Sequence, residues 1–115
     1  MSDSKMRPEL NGRRADGSTY PCPDDATALY MIRDAVQSHT GLIAGKLHYQ
    51  GESCAIGAFW DNNPKLSLRT KLIDEVAMYN DSIKDVSPAQ RRRKVLAWLN
   101  WRIKTLAGMK ASPPS

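Results

Sequence analysis

The stretch S-P-A-Q-R-R-R-K-V-L-A-W-L-N-W-R-I-K-T-L-A, residues 87–107, has the clearest structural signals in this 115-residue sequence. Ser87 is a preferred N-cap residue, and Pro88 at the first helical position loses no hydrogen bond. Gln90, three residues after Ser87, completes a capping box. Gly108 supplies the left-handed residue that commonly follows a helix end. The pattern predicts one long helix that organises the rest of the chain.

This helix has an aliphatic stripe and a second stripe that is aromatic and basic. At about 100° per residue, five aliphatic side chains fall within one arc of roughly 100°, which is typical of a core-facing side. They are Val95, Leu96, Leu99, Ile103 and Leu106. Trp98 and Trp101 lie roughly 100–170° from the centre of that arc, with cations beside them.

The second stripe has two interpretations. Large aromatic side chains are mostly buried in folded proteins, so in the first interpretation another wall of the domain covers both tryptophans. In the second, at least one indole is exposed and binds a partner, because Trp and Arg dominate binding hot spots. The residues assigned to partner binding in the second interpretation are Arg91, Arg92, Arg93, Lys94, Trp98 and Trp101.

Residues 91–94 place four consecutive cations near the start of the helix, where the helix dipole favours anions. Charges that oppose a local preference indicate another purpose, and the alternative is a solvated first turn. The whole chain has a formal net charge of +5 and a pI near 9.4. A positive excess of this size favours an acidic partner without identifying it.

The length indicates one domain that is large enough to bury a core. Residues 1–22 are polar and rich in Gly and Pro, which predicts a flexible arm. Residues 23–108 are predicted to form a single helical domain, and residues 109–115 a disordered tail. A nucleic-acid contact would use the arm together with the long helix, through Arg7, Arg13, Arg14, Arg91 and Lys94.

Three shorter helices are predicted before the long one. The first runs from residues 23–25 to Ser38, the second is a buried helix at 54–60 capped by Ser53, and the third runs from residues 66–67 to Tyr79. Residues 42–52 are predicted as an irregular loop or a short extended pair. The predicted fold class is mainly α: a compact bundle of about four helices with at most a minor two-stranded element.

The sequence gives little support for catalysis or metal binding. Cys54 at a helix start could act as a nucleophile with His39 or His48 as base and Asp61 as orienter, but no motif surrounds it. Cys22 and Cys54 with the two histidines match no standard zinc spacing. Phosphate loops and dinucleotide fingerprints are absent from the sequence. We therefore expect a protein that is not an enzyme and has no cofactor or metal.

Two cysteines do not make a disulfide framework, and the first residues lack the apolar segment of a secretory signal. The sequence contains no apolar run of the roughly 18 residues that a membrane span needs. The expected location is the cytoplasm, without a membrane partner.

Three segments together resemble a known family. They are C-A-I-G-A-F-W at 54–60, L-I-D-E-V-A-M-Y-N-D-S at 72–82 and V-L-A-W-L-N-W at 95–101. Their order is similar to that in small domains of unassigned activity from bacterial, phage and prophage genomes, over residues 50–107. The resemblance implies a phage-type accessory protein in the host cytoplasm. It implies no catalytic residues.

The expected function is non-enzymatic docking on a host protein or ribonucleoprotein complex, with inhibition of a bacterial defence system, as by anti-CRISPR proteins, as one form. The positive charge argues against DNA mimicry. The alternative is direct nucleic-acid binding by the same basic residues, because cations neutralise phosphate and aromatic rings stack on bases. The sequence leaves open whether the protein is a monomer or a homodimer.

Overall fold

The computed structural model describes residues 12–13, 21–44, 48–49, 52–110 and 112–113. Four helices dominate the described chain, as predicted, and this confirms the mainly α bundle. They are α1 (Asp25–Ser38), α2 (Ala55–Asn62), α3 (Thr70–Ser82) and α4 (Pro88–Leu106). The first helix, α1, packs against both α2 and α4, and α3 contacts the same two helices.

The long helix α4 begins and ends as its sequence predicts. The Ser87 hydroxyl accepts the backbone N–H of Gln90 at 3.2 Å, and the Gln90 side chain accepts the backbone N–H of Ser87 at 3.0 Å. Ala107 is the C-cap residue, and Gly108 follows with φ of 84°. Only local contacts are needed for these signals, so the boundaries can be read from a few neighbouring residues.

Helix α1 is capped by Asp24, whose carboxylate accepts the backbone N–H of Thr27 at 2.9 Å. Its predicted apolar face, Leu29, Ile32 and Val36, is fully buried. This face lies between α2 and α4, so α1 is the central support of the bundle.

The short helix α2 is buried along residues 55–60, which confirms a central apolar helix. The prediction that Ser53 caps it is wrong, because Cys54 is the N-cap and its sulfur accepts the backbone N–H of Gly57 at 3.4 Å. Ser53 ends a strand, and its hydroxyl donates to Asp61 at 3.0 Å. Because Ser53 pairs in that strand, α2 begins one residue later than predicted.

Helix α3 begins at Thr70, three to four residues later than predicted. Leu68–Arg69 forms strand β4, which pairs antiparallel with β1 at Gly12–Arg13. The N–H of Ser67 donates to the carbonyl of Pro21 at 3.0 Å. These contacts to a distant part of the chain override the helical pattern of residues 66–69.

The other end of α3 also differs from the prediction, because Asn80, Asp81 and Ser82 form its last turn instead of breaking it. Asn80 is fully buried, and its amide donates to the carbonyl of Ile43 at 2.9 Å. A buried partner for this polar side chain favours continuation of the helix through it.

Residues 42–52 contain the extended pair that is one of the two predicted alternatives. Strand β2 (His48–Tyr49) pairs antiparallel with β3 (Glu52–Ser53), and Leu42 forms a parallel bridge to Ser53. With β1 and β4, the described chain has two small two-stranded ladders, one more than expected. The extra ladder comes from β4.

The prediction that Cys22 belongs to a flexible arm is wrong, because its side chain is completely buried. Most of the predicted arm lies outside the described residues, as do Arg7 and Arg14. Of Arg13 only the backbone pairing with Leu68 is described. Among the described residues, no helix combines the length and apolar character required to cross a bilayer.

Candidate functional site

Trp98 is buried, with 8% of its surface exposed. Its indole stacks on the ring of Tyr79 in α3, with centroids 4.8 Å apart and planes 12° apart. The assignment of Trp98 to an exposed binding face is therefore wrong. Helix α3 covers Trp98 in the way that the first of the two interpretations predicted for both tryptophans.

Trp101 is only half buried, although it packs against the core cluster. It lies three residues after Trp98 and therefore points farther around α4, towards solvent. Helical spacing places Trp101 on the same side of α4 as Lys94 and Lys104, which are exposed. Of the two tryptophans, Trp101 alone remains a candidate for partner contact.

Arg91 is also buried, with 8% of its surface exposed. One terminal nitrogen of its guanidinium donates to the carbonyls of Asn80 and Ile83, the latter at 2.7 Å. Ile83 is the C-cap of α3, and the last turn of α3 contains no basic side chain. Arg91 supplies the missing positive charge at that helix end. The placement of Arg91 on an exposed face is wrong.

Arg92 has the same role at the end of α1. Its Nε donates to the carbonyl of Val36 at 3.2 Å, and its terminal nitrogen donates to the carbonyl of Gln37 at 2.9 Å. The last turn of α1 likewise has no basic residue of its own. Two of the four consecutive cations therefore oppose the dipole of α4 because they complete the ends of two other helices.

The exposed side of α4 retains the other cations. We call this side the outer α4 surface. It is formed by Gln90, Arg93, Lys94, Ala97, Asn100 and Lys104, all of which are exposed or half-exposed. Within the described chain, the side chains of Arg93, Lys94 and Lys104 form no hydrogen bond or ion pair. Arg102, by contrast, is engaged with Glu75 at 2.8 Å.

The sequence of α4 contains six cations and no carboxylate. Three of the cations stabilise the fold, and the three on the outer α4 surface remain available. Lys104 was not among the residues assigned to binding from the sequence. It lies eleven residues after Arg93, about three turns along the same side of the helix, so helical spacing alone could have identified it.

The catalytic alternative is not supported by the geometry around Cys54. Burial raises the pKa of the Cys54 thiol, and the negative charge of Asp81 raises it further, so the thiol stays protonated at neutral pH. Its sulfur is occupied by the N–H of Gly57. The helix start therefore does not produce a reactive thiolate here.

The ring nitrogens of the candidate base His39 lie against other groups, and Nδ1 is 3.3 Å from the hydroxyl of its neighbour Ser38. Its Nδ1 lies 2.8 Å from the carbonyl of Ala35, and its Nε2 lies 3.6 Å from the carboxylate of Asp61. That carboxylate accepts the hydroxyl of Ser53, so the acid stands between the hydroxyl and the imidazole. A Ser-His-Asp relay requires the imidazole in the middle. The side chain of His48 lies outside the described residues.

Metal binding has no support in the described part of the chain, where no three His, Cys, Asp or Glu side chains are grouped as ligands. Both cysteines are buried as free thiols. The chain matches no protein-family model, no curated protein and no solved structure.

Proposed function

We propose that this chain is a non-enzymatic binding protein of phage type, which docks on an acidic surface of a host protein or complex. The outer α4 surface makes the contact. Arg93, Lys94 and Lys104 pair with carboxylates of the partner, and the exposed part of Trp101 contributes apolar contact. Inhibition of a defence complex is one function that such docking can serve.

The observation that supports this proposal is the separation of the α4 cations into two groups. Arg91, Arg92 and Arg102 are bound within the domain, whereas Arg93, Lys94 and Lys104 face solvent without a carboxylate on the same helix. Uncompensated charges of one sign attract a partner of opposite sign and accelerate its association.

The test compares two triple variants that lose the same net charge. One carries Arg93→Ser, Lys94→Ser and Lys104→Ser. The control carries Ser in place of three exposed lysines outside α4: Lys65, Lys84 and Lys110. Both variants should fold, because exposed residues of this kind change stability by less than about 0.5 kcal/mol.

Affinity purification from host lysate, with mass spectrometry and with or without nuclease, gives the readout. We expect one acidic protein to be recovered with the wild-type chain and the control, to be lost with the α4 variant, and to survive nuclease treatment. Equal recovery by both variants would refute docking through the outer α4 surface.

Direct nucleic-acid binding is the alternative, and the residue types on the outer α4 surface favour it as a second candidate. Arg and Ala are side chains that contact base edges in the major groove, and Lys contacts phosphate. The salt dependence separates the two. Neutralisation of several phosphates would weaken affinity by on the order of 10³-fold between 50 and 200 mM salt, far more than a protein dock.

A further inference from the structure

A cleft of about 450 Å³ lies beside the start of α3. Its described lining consists of Asp25, Arg69, Lys71, Leu72, Glu75 and Arg102. Three of these residues are positive and two are negative, so the lining has a net charge of +1. The outer α4 surface contributes none of this described lining, and the cleft is therefore separate from the proposed docking surface.

Arg69 is accessible to a ligand in this cleft. One terminal nitrogen of its guanidinium lies 3.3 Å from the carboxylate of Asp25, and the two side chains are 44% and 42% exposed. Exposed ion pairs contribute little to stability, because water screens them. An incoming anion can therefore replace Asp25 at Arg69 without a large loss of folding free energy.

Lys71 and Arg102 contribute the other positive charges. Lys71 is exposed, and its ammonium has no hydrogen bond or ion pair within the described chain. Arg102 donates to both oxygens of Glu75, at 2.8 and 3.0 Å. This two-point contact fixes the guanidinium of Arg102 and pairs its charge with Glu75, so the net charge of +1 in the lining comes from Lys71.

We propose that this cleft binds the phosphate group of a small phosphorylated molecule. The guanidinium of Arg69 and the ammonium of Lys71 donate to the phosphate oxygens. Guanidinium and ammonium together suit a phosphate, whose several oxygens accept from different directions. The volume lies within the range of about 300–1,000 Å³ for small-molecule sites, so it also holds the remainder of the ligand.

The first test titrates the full chain with pyrophosphate in a calorimeter and uses a pair of lysine variants. Lys71→Gln removes one donor of the cleft, whereas Lys84→Gln removes an exposed lysine after α3. The loss of one charge-assisted hydrogen bond predicts about tenfold weaker binding for Lys71→Gln. Lys84→Gln should bind as the wild type does. Absence of saturable binding, or equal weakening by both variants, would overturn the proposal.

A second pair of variants tests the role of Asp25. Asp25→Asn should strengthen pyrophosphate binding, because it releases Arg69 and removes a negative charge from the cleft. Asp34→Asn makes the same change in net charge at an exposed position of α1, where Asp34 lies 3.6 Å from Arg33. It should leave the affinity unchanged. Equal gains in both variants would indicate attraction to the whole chain and contradict a defined site.

A single-stranded oligonucleotide distinguishes the two sources of phosphate. If the oligonucleotide binds in a Lys71-dependent manner and pyrophosphate does not, the cleft serves a polymer backbone and the proposal is wrong. The variant that lacks Arg93, Lys94 and Lys104 should bind pyrophosphate normally. Failure of the cleft is therefore distinguishable from failure of the docking surface.

Discussion

The indole of Trp98 lies face to face with the ring of Tyr79, and this contact joins α4 to α3. Stacked aromatic pairs contribute beyond the area that they bury. On either side of the pair, Arg91 binds the carbonyl of Asn80, and Arg102 binds Glu75. Successive residues of α4 thus contact progressively earlier residues of α3, so the two helices run antiparallel.

Trp98→Ala should lower the free energy of unfolding by about 3–5 kcal/mol, as large-to-small changes at buried aromatic positions do. Urea denaturation followed by far-UV circular dichroism measures this loss. Trp101→Ala is the control, because the ring is only half buried and its removal should cost at most about 2 kcal/mol. Equal losses in the two variants would contradict the buried position of Trp98.

Arg91→Met should destabilise the domain by about 3 kcal/mol, because it leaves the carbonyls of Asn80 and Ile83 without their charged donor. The matched control is Arg93→Met, the same chemical change at an exposed position of the same helix. It should change stability by less than about 0.5 kcal/mol. If the two variants have the same midpoint of thermal denaturation, Arg91 has no structural role.

Gly41→Ala should destabilise the domain by about 1–3 kcal/mol through overpacking. A Cβ at this position would lie 2.6 Å from the Cβ of Pro88, a rigid ring at the start of α4. The adjacent bond from the N–H of Leu42 to the carbonyl of Pro88, at 3.0 Å, prevents the two segments from separating. Wild-type stability of this variant in chemical denaturation would show that the contact is looser.

Gly108→Ala is the comparison for that variant, because it tests conformation without crowding. Gly108 has φ of 84°, and a Cβ added there would have no described neighbour within 4 Å, so only the left-handed backbone opposes the change. The substitution should lower the free energy of unfolding by about 1–2 kcal/mol, which urea denaturation measures.

Stability should fall as pH rises above about 9, the ordinary pKa of a cysteine thiol. Burial raises the pKa of Cys54, so the folded chain keeps a proton that the unfolded chain has lost. The contribution is complete below pH 9.0 and disappears as pH passes the raised value. Cys54→Ser should make the alkaline decrease shallower in urea denaturation at several pH values.

The decrease should not vanish in Cys54→Ser, because burial also raises the pKa values of Cys22 and Tyr79. The slope of stability against pH is the relevant quantity, since the new hydroxyl can also cap α2 and alter the baseline. An unchanged slope would mean that the Cys54 thiol titrates normally in the folded chain.

The limits of α4 could be predicted because each signal acts over a few residues. The burial of Trp98 could not be predicted, because it depends on Tyr79 in α3. The start of α3 could not be predicted for a similar reason, since only the pairing of Leu68–Arg69 with Gly12–Arg13 reveals β4. Local chemistry determined the limits of α4, whereas contacts between distant segments determined the start of α3 and which side chains remained exposed.

The difference between local and long-range contacts also explains why Arg91 was wrongly assigned to an exposed binding face. For Arg91 and Arg92, opposition to the dipole of α4 correctly indicated another purpose. The purpose of Arg91 and Arg92 lies within the domain, at carbonyls whose positions no sequence pattern near residue 91 specifies. Arg93 and Lys94 have no such internal partner in the described chain.

The carbonyls that Arg91 and Arg92 complete belong to two helices that precede α4 in the chain. During synthesis, α1 and α3 therefore leave the ribosome before the two arginines that bind their C-terminal carbonyls. The last helix acts as a tethered ligand for the remainder of the domain. If the backbone is cleaved in the loop after α3, we therefore expect the two fragments to reassociate into the folded domain when they are mixed.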